Sequence, residues 1–393
     1  MTRKYDVAII GLGAMGSAAA WHLSRRGRAV VAFDQFDPGH DRGSSHGHSR
    51  IFRTAYSEGA AYVPLALRAL DNWRTLEAEA GEDLLTLGGV LEAGAPGSAM
   101  VAGALTAARQ FGLAHELLQG REINARFPGF ELPEDWRGVL QHQAGFLRPE
   151  RAIRACCELA RKHGATLRVN DRVTALDPGP TGVRLTSASG RAVEASSVVV
   201  AAGAWIADLV PALKTRVTVT RQVTAWFAPP RPEIFTPSRF PAFILDQGDD
   251  AIYGVPDIDG GGVKIAAHWS GEVMRHADDP RAPATRAETQ AIRAAAAPRV
   301  LAARGTLISS QTCVYTRTAD EHFIIDLLPG EPRVVVASPC SGHGFKFASV
   351  IGEALADLAT DGRTAIDIGM FAMNRAGLNG RAGSDETLNQ GGA

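Results

Sequence analysis

Tyr5-Asp6-Val7-Ala8-Ile9-Ile10-Gly11-Leu12-Gly13-Ala14-Met15-Gly16 decides the fold of this chain. Apolar, mostly β-branched residues run into a glycine triplet, and the Ala-rich segment Ser17 to Leu23 follows. That order reads as strand, tight turn, helix. Gly11 permits the turn, Gly13 lets backbone approach a pyrophosphate, and Gly16 lets the helix pack close to the strand. Ala14 and Met15 then open a helix whose unpaired N–H groups and positive dipole end face phosphate. A second apolar run, Ala29 to Phe33, ends in Asp34, at about the ~20-residue spacing of a ribose-binding acid. The glycines alone are a weak signal; strand, helix and acid together predict a dinucleotide site. Arg3 and Lys4 before an apolar run resemble a signal peptide, but Asp6 and the glycine spacing assign the run to the fold.

The 393 residues can bury two cores. A hydrophobic content of 45% with 21% charged residues is that of a soluble globular protein. Lys+Arg number 41 and Asp+Glu 42, which leaves no excess to draw nucleic acid or an anionic membrane. No stretch approaches the ~20 apolar residues of a membrane span. Cys156, Cys157, Cys313 and Cys340 have no metal or redox spacing, so no metal is expected and a reducing cytoplasm is the expected compartment.

Small residues dominate Gly43 to Arg53, a loop with two histidines and two arginines. A helix beginning near Ser49 would bring Arg50 and Arg53 to one anionic site. Helices are expected from Pro64 to Gly81, over 98–110, and from Arg148 to Gly164 with Cys156 and Cys157 packed inside. Strands are expected at 88–91, 166–169, 172–176 (with Val173) and 182–186, and 127–138 reads as a Pro-rich connection. The apolar run from Ser197 to Trp205 reads as a strand buried on both faces, closing at Gly203, either a ligand approach or a turn. From 217 to 314 the pattern is mainly of strands, with a helix near 286–297. Val334 to Ala337 returns to a buried strand and leads through Gly342-His343-Gly344 into a helix over 345–358. The residues after Asn374 read as a mobile tail.

Four stretches together carry a resemblance: the glycine turn, His46 to Gly59, Cys313-Val314-Tyr315-Thr316, and Gly342-His343-Gly344-Phe345-Lys346. In this order the chain resembles the monomeric sarcosine oxidase and N-methyltryptophan oxidase family of FAD-dependent amine oxidases, nearly to Asn374. The resemblance implies an α/β fold in which an FAD-binding Rossmann-type (glutathione-reductase-like) domain (1–85, 146–215, 317–375) is interleaved with an antiparallel-sheet α+β substrate domain (86–145, 216–316), ahead of a flexible tail (376–393). It implies a monomer that takes a small secondary amine and O₂, with FAD joined through Cys313. Arg53 and Lys346 would clamp a substrate carboxylate, and Lys264 would activate O₂. Arg50 would tune the flavin, and His268, Tyr253 and Tyr315 would shape the pocket. Ser44, His46, Val173, Gly203 and the Gly342–Gly344 backbone would contact the cofactor.

Departures from the family pattern loosen the expected substrate. Ser45, His48, Thr54, Ile244 and Cys340 stand where relatives carry histidine, aspartate, histidine, methionine and a bulkier apolar residue. The expected reaction is oxidation of an N-methyl or N-alkyl α-amino acid to an imine, with O₂ reduced to H₂O₂. The competing readings are a dehydrogenase on the same scaffold (pipecolate, proline or fructosyl-amino-acid type) and a flavoprotein subunit of a redox complex.

Overall fold

In the computed structural model, which describes residues 4–248, 251–268 and 271–379, the opening stretch forms the strand Lys4–Ile10. It runs parallel to Val30–Phe33 on one side and to Ala192–Val200 on the other. Thr166–Arg168 extends the sheet beyond Val30–Phe33. Ala192–Val200 is long enough to serve two neighbours along its far edge. Its first half pairs with Gly182–Ser187, and its last residues run parallel to Glu331–Ser338. Helices Ala14–Arg25, Pro149–Lys162, Tyr62–Ala80 and Ala348–Asp361 pack together on one face. Burial on both faces explains why these strands read as unbroken apolar runs.

The glycine turn holds the strand against its helix. Gly11 has φ +97, and a Cβ there would lie 2.4 Å from the Ala201 carbonyl oxygen. A Cβ on Gly16 would lie 1.8 Å from the Gly11 carbonyl oxygen, so the helix can approach only without a side chain. The parallel strands end together at Gly11, Asp34 and Ala201, and the crevice outside their carboxyl ends is where open α/β sheets bind ligands.

Among the described residues, a nine-stranded sheet makes the second layer, built from Val90–Gly94, His115–Gln119 and Arg137–Gln141 together with strands between Val217 and Thr318. All its pairs are antiparallel except that of Ala242–Asp246 with Val90–Gly94. Its core is rich in phenylalanine, with Phe130, Phe235 and Phe243 packed around Phe240.

Several expectations are corrected. No helix begins at Ser49. Gly47 and His48 adopt φ +100 and +66, which stops a helix, and Arg50–Phe52 forms a strand against Gly145–Leu147. The segment before the Pro-rich connection holds a strand, His115–Gln119, and a helix, Gly120–Arg126, that periodicity did not reveal. The expected helix over 345–358 begins as a 3₁₀ turn, Phe345–Phe347, and continues as Ala348–Asp361. The expected tail starts too early: Ala376–Asn379 is a 3₁₀ turn with Leu378 buried, and 380–393 lie outside the described residues. Among the described residues no helix is long and apolar enough to cross a membrane.

Candidate active site

One cavity of about 540 Å³ runs from the glycine turn to the second sheet. Every residue expected at the site lines it except Gly16, whose task is the helix approach described above. At the near end are Gly11, Gly13, Ala14, Met15, Asp34 and, farther along, Val173 and Gly203. Asp34 has a second task that its spacing did not show. Its Oδ2 accepts the Leu12 N–H (2.6 Å) and its Oδ1 the Phe36 N–H (2.8 Å), so the carboxylate braces the glycine turn.

The loop before Arg50 forms the middle wall. Glu150, in the first turn of its helix, accepts the N–H groups of Gly47 (2.6 Å) and His48 (3.1 Å) and fixes the loop. Arg50 donates to the carbonyls of Ser49 (2.8 Å) and Ser44 (2.7 Å). Lys264, almost fully buried on the strand Val263–Ala267, donates to the carbonyls of Gly47 (2.8 Å) and Ser49 (3.0 Å) and faces the Trp226 ring at 5.5 Å. Burial lowers its pKa to about 7, and the charge of Arg50 adds to the effect. Cys313, on Thr306–Thr318, is buried and its thiol is pushed up by burial, while Arg50 and Lys264 pull it back toward the thiolate. Burial raises the pKa of both Tyr253 and Tyr315, and the His268 ring lies 6.2 Å from that of Tyr315. The Gly342–Gly344 turn is more self-contained than expected: the N–H groups of His343 and Gly344 both donate to the Cys340 carbonyl at 2.9 Å.

At the far end the two cations flank Tyr56. Lys346 is buried. Its Nζ donates to the His343 carbonyl (2.6 Å) and to Tyr56 Oη (3.2 Å). His343 Nε2 faces the Glu321 carbonyl at 3.0 Å and so carries the proton, which leaves Nδ1 to accept from Tyr56 O–H at 2.7 Å. Burial, then the Lys346 charge, lowers this histidine to about 3, which keeps it neutral. Burial and then Arg53 lower Lys346 to about 7.

Arg53 does not share a site with Arg50. Its guanidinium lies 4.3 Å from the Tyr56 ring centre and is held by two carboxylates, Glu58 at Nη2 and Glu92 at Nη1. Partial desolvation opposes ionisation of Glu58, whose side chain stays half-open to the cavity, but Arg53 prevails and holds its carboxyl well below the usual range. Glu92 is pushed up to about 7 by burial, against the pull of Arg53. The roles of Glu58, Glu92 and Gln141 were missed from sequence. A signal was available for one of them: Glu92 is the lone charge in the apolar strand Val90–Gly94.

A model of the FAD dependent oxidoreductase family matches residues 6–358. The chain belongs to that family. It is 40% identical over 381 residues to the monomeric sarcosine oxidase of Streptomyces avermitilis, covering 95% of this chain and 98% of that one. It is 37% identical over 377 residues to the N-methyl-L-tryptophan oxidase of Escherichia coli O157:H7, covering 95% and 99%. Among solved structures, NikD, an unusual amino acid oxidase essential for nikkomycin biosynthesis, aligns with a TM-score of 0.83 and 26% identity over 94% of this chain and 98% of that one. The protein is therefore an FAD-dependent oxidoreductase, and its cavity has the chemistry to take the cofactor. His46 Nε2 and Gln311 Oε1, both buried on its wall, have no hydrogen-bond partner among the described residues. Groups of this kind are retained where a ligand completes them.

Proposed function

We propose that this oxidoreductase acts on a secondary α-amino acid, N-methyl or N-alkyl, and uses O₂ as electron acceptor. The observation that carries the reading is the convergence in one cavity of Cys313, Lys264 and Lys346 with Arg53, residues up to about 290 positions apart in the chain. FAD would be held by the Gly11–Met15 turn at its pyrophosphate, by Asp34 at its ribose, and by Ser44, His46, Val173 and Gly203 along its length. Cys313 would attach it covalently, since the charges of Arg50 and Lys264 draw its buried thiol toward the thiolate. When bound, the flavin accepts two electrons from the C–H bond next to the amine nitrogen and passes them to O₂.

The chain's own residues do the rest. Arg53 offers a planar fork and Lys346 a point charge to the substrate carboxylate. These cations, with Lys264, favour the unprotonated amine, the form with a lone pair to release. Lys264 places a positive charge beside the region where O₂ gains negative charge. Tyr253, Tyr315 and His268 line the space left for the side chain. The relatives named above support this reading.

The test is a peroxide assay of the purified holoenzyme against sarcosine, N-methyltryptophan, pipecolate, proline and fructosyl-glycine. Turnover with H₂O₂ release on an N-substituted amino acid is expected. Flavin reduced by such a substrate that stays reduced when air is admitted would refute the oxidase reading.

A further inference from the structure

The strand Val90–Gly94 is buried along its whole length, and its middle residue is a glutamate. The Glu92 side chain is 0% exposed, as a carboxylate can be only when donors surround it. Three do. Glu92 Oε1 accepts from Arg53 Nη1 (2.7 Å) and from Ser57 Oγ (3.3 Å), and Oε2 accepts from Gln141 Nε2 (2.5 Å). Gln141 belongs to the neighbouring strand, opposite Val90 and so diagonal to Glu92 on the same face. It also reaches the loop that carries Arg53: its Oε1 accepts the N–H groups of Thr54 (3.2 Å) and Ala55 (2.9 Å), and its Nε2 donates to the Ala55 carbonyl (3.0 Å). A pair of side chains on the second sheet thus fixes both the backbone after Arg53 and one edge of its guanidinium.

The other edge is different. Glu58 takes Nη2 through both oxygens (2.5 and 2.6 Å), but its side chain is 39% exposed, against 4% for Arg53. Glu58 lines the cavity; Glu92 does not. We propose that Glu92 is a positioning residue of the carboxylate site: it holds Arg53 by Nη1 against the second sheet and leaves Nη2, where Glu58 sits, as the edge offered to a substrate carboxylate. This rests on the reading that Arg53 receives that carboxylate. One carboxylate replaces another at Nη2, so the negative charge of Glu92 acts on both and largely cancels. What remains is geometry. A fully buried guanidinium anchored at one edge can exchange partners at the other without leaving its place.

The test uses the holoenzyme and methoxyacetate, the oxygen isostere of an N-methylglycine, whose binding is followed by the change in flavin absorbance. Glu92→Gln keeps the shape but has one acceptor oxygen for three donors, Arg53, Ser57 and Gln141. Its methoxyacetate Kd is expected to rise about tenfold, the cost of misaligning one charge-assisted hydrogen bond, with a like rise in substrate KM and kcat within about twofold. If Glu92→Gln fails to accumulate with flavin, Glu92→Asp, which keeps the charge but withdraws it from Arg53, is expected to weaken binding in the same way. A Kd that is unchanged or tighter in a folded, flavin-loaded variant overturns the proposal, since the charge of Glu92 largely cancels and lost alignment of Arg53 is the effect that remains. Arg53→Met separates the two readings. If it leaves methoxyacetate binding and KM unchanged, the carboxylate reading of Arg53 fails and the proposal falls with it.

Discussion

Replacing Lys346 with methionine should make the enzyme's stability depend on pH in a calculable way. The ammonium is buried beside Arg53, and its pKa falls from the ordinary 10.5 to about 7. The folded chain therefore binds fewer protons here than the unfolded chain between those values, and wild-type stability rises with pH across that window. The penalty for the buried lysine is complete below about pH 7 and gone above about 10.5. Methionine of similar length carries no such penalty but loses the bonds to His343 and Tyr56 at every pH. At about 1.4 kcal/mol per pKa unit, the stability of wild type relative to Lys346→Met should increase by about 2.5 kcal/mol between pH 8 and pH 10. For 393 residues the unfolding entropy is about 0.8 kcal/mol/K, so this amounts to about 3 °C in the difference of Tm. Lys264 is present in both proteins and cancels. Thermal unfolding of both proteins without substrate at pH 8, 9 and 10 supplies the measurement. A Tm difference that stays constant, or moves toward the variant as pH rises, would refute the claim that Lys346 is desolvated in the folded state.

Three further substitutions probe other parts of the cavity. Lys264→Met should slow flavin reoxidation by about 10²–10³-fold, the usual scale for one preorganised charge, while anaerobic reduction by substrate changes much less; stopped-flow measurement of the two half-reactions separates them, and equal slowing would contradict the role. Cys313→Ser should release yellow flavin into the supernatant on acid precipitation, whereas the wild-type pellet stays coloured; a colourless wild-type pellet would make Cys313 a packing thiol only. Gly16→Ala would place a Cβ 1.8 Å from the Gly11 carbonyl oxygen, and such overpacking costs about 1–3 kcal/mol. Flavin content per chain should therefore fall, and full loading at an unchanged Tm would show that the turn yields more easily than its packing implies.

The local parts of the fold were legible because local sterics dictate them. Gly11 and Gly16 stand where a side chain cannot, and the buried strands Val30–Phe33 and Ala192–Val200 show as apolar runs. Arg50–Phe52 was misread because three residues carry too little periodicity; its strand form comes from Gly145–Leu147, nearly a hundred positions away. Helix Gly120–Arg126 is short and closed by a capping box between Gln119 and Glu122, a signal easily lost among polar residues. At the site, Cys313, Lys264 and Lys346 could be singled out through the motifs around them. Their burial could not, and burial is what lowers both lysines to about 7.

By itself, then, the sequence determined a dinucleotide turn and the buried apolar strands of the central sheet, and through its family resemblance it implied residues for a carboxylate and for the flavin. The tertiary structure decided which charges meet. Arg50 and Arg53 are three residues apart, yet one is bonded to loop carbonyls and the other lies between Glu58 and Glu92. Backbone geometry is set by neighbours along the chain, so it can be read there. An ion pair between Arg53 and Glu92 depends on the segment after Arg50–Phe52 being held against the strand Val90–Gly94 and buried there, and no spacing in the chain records that.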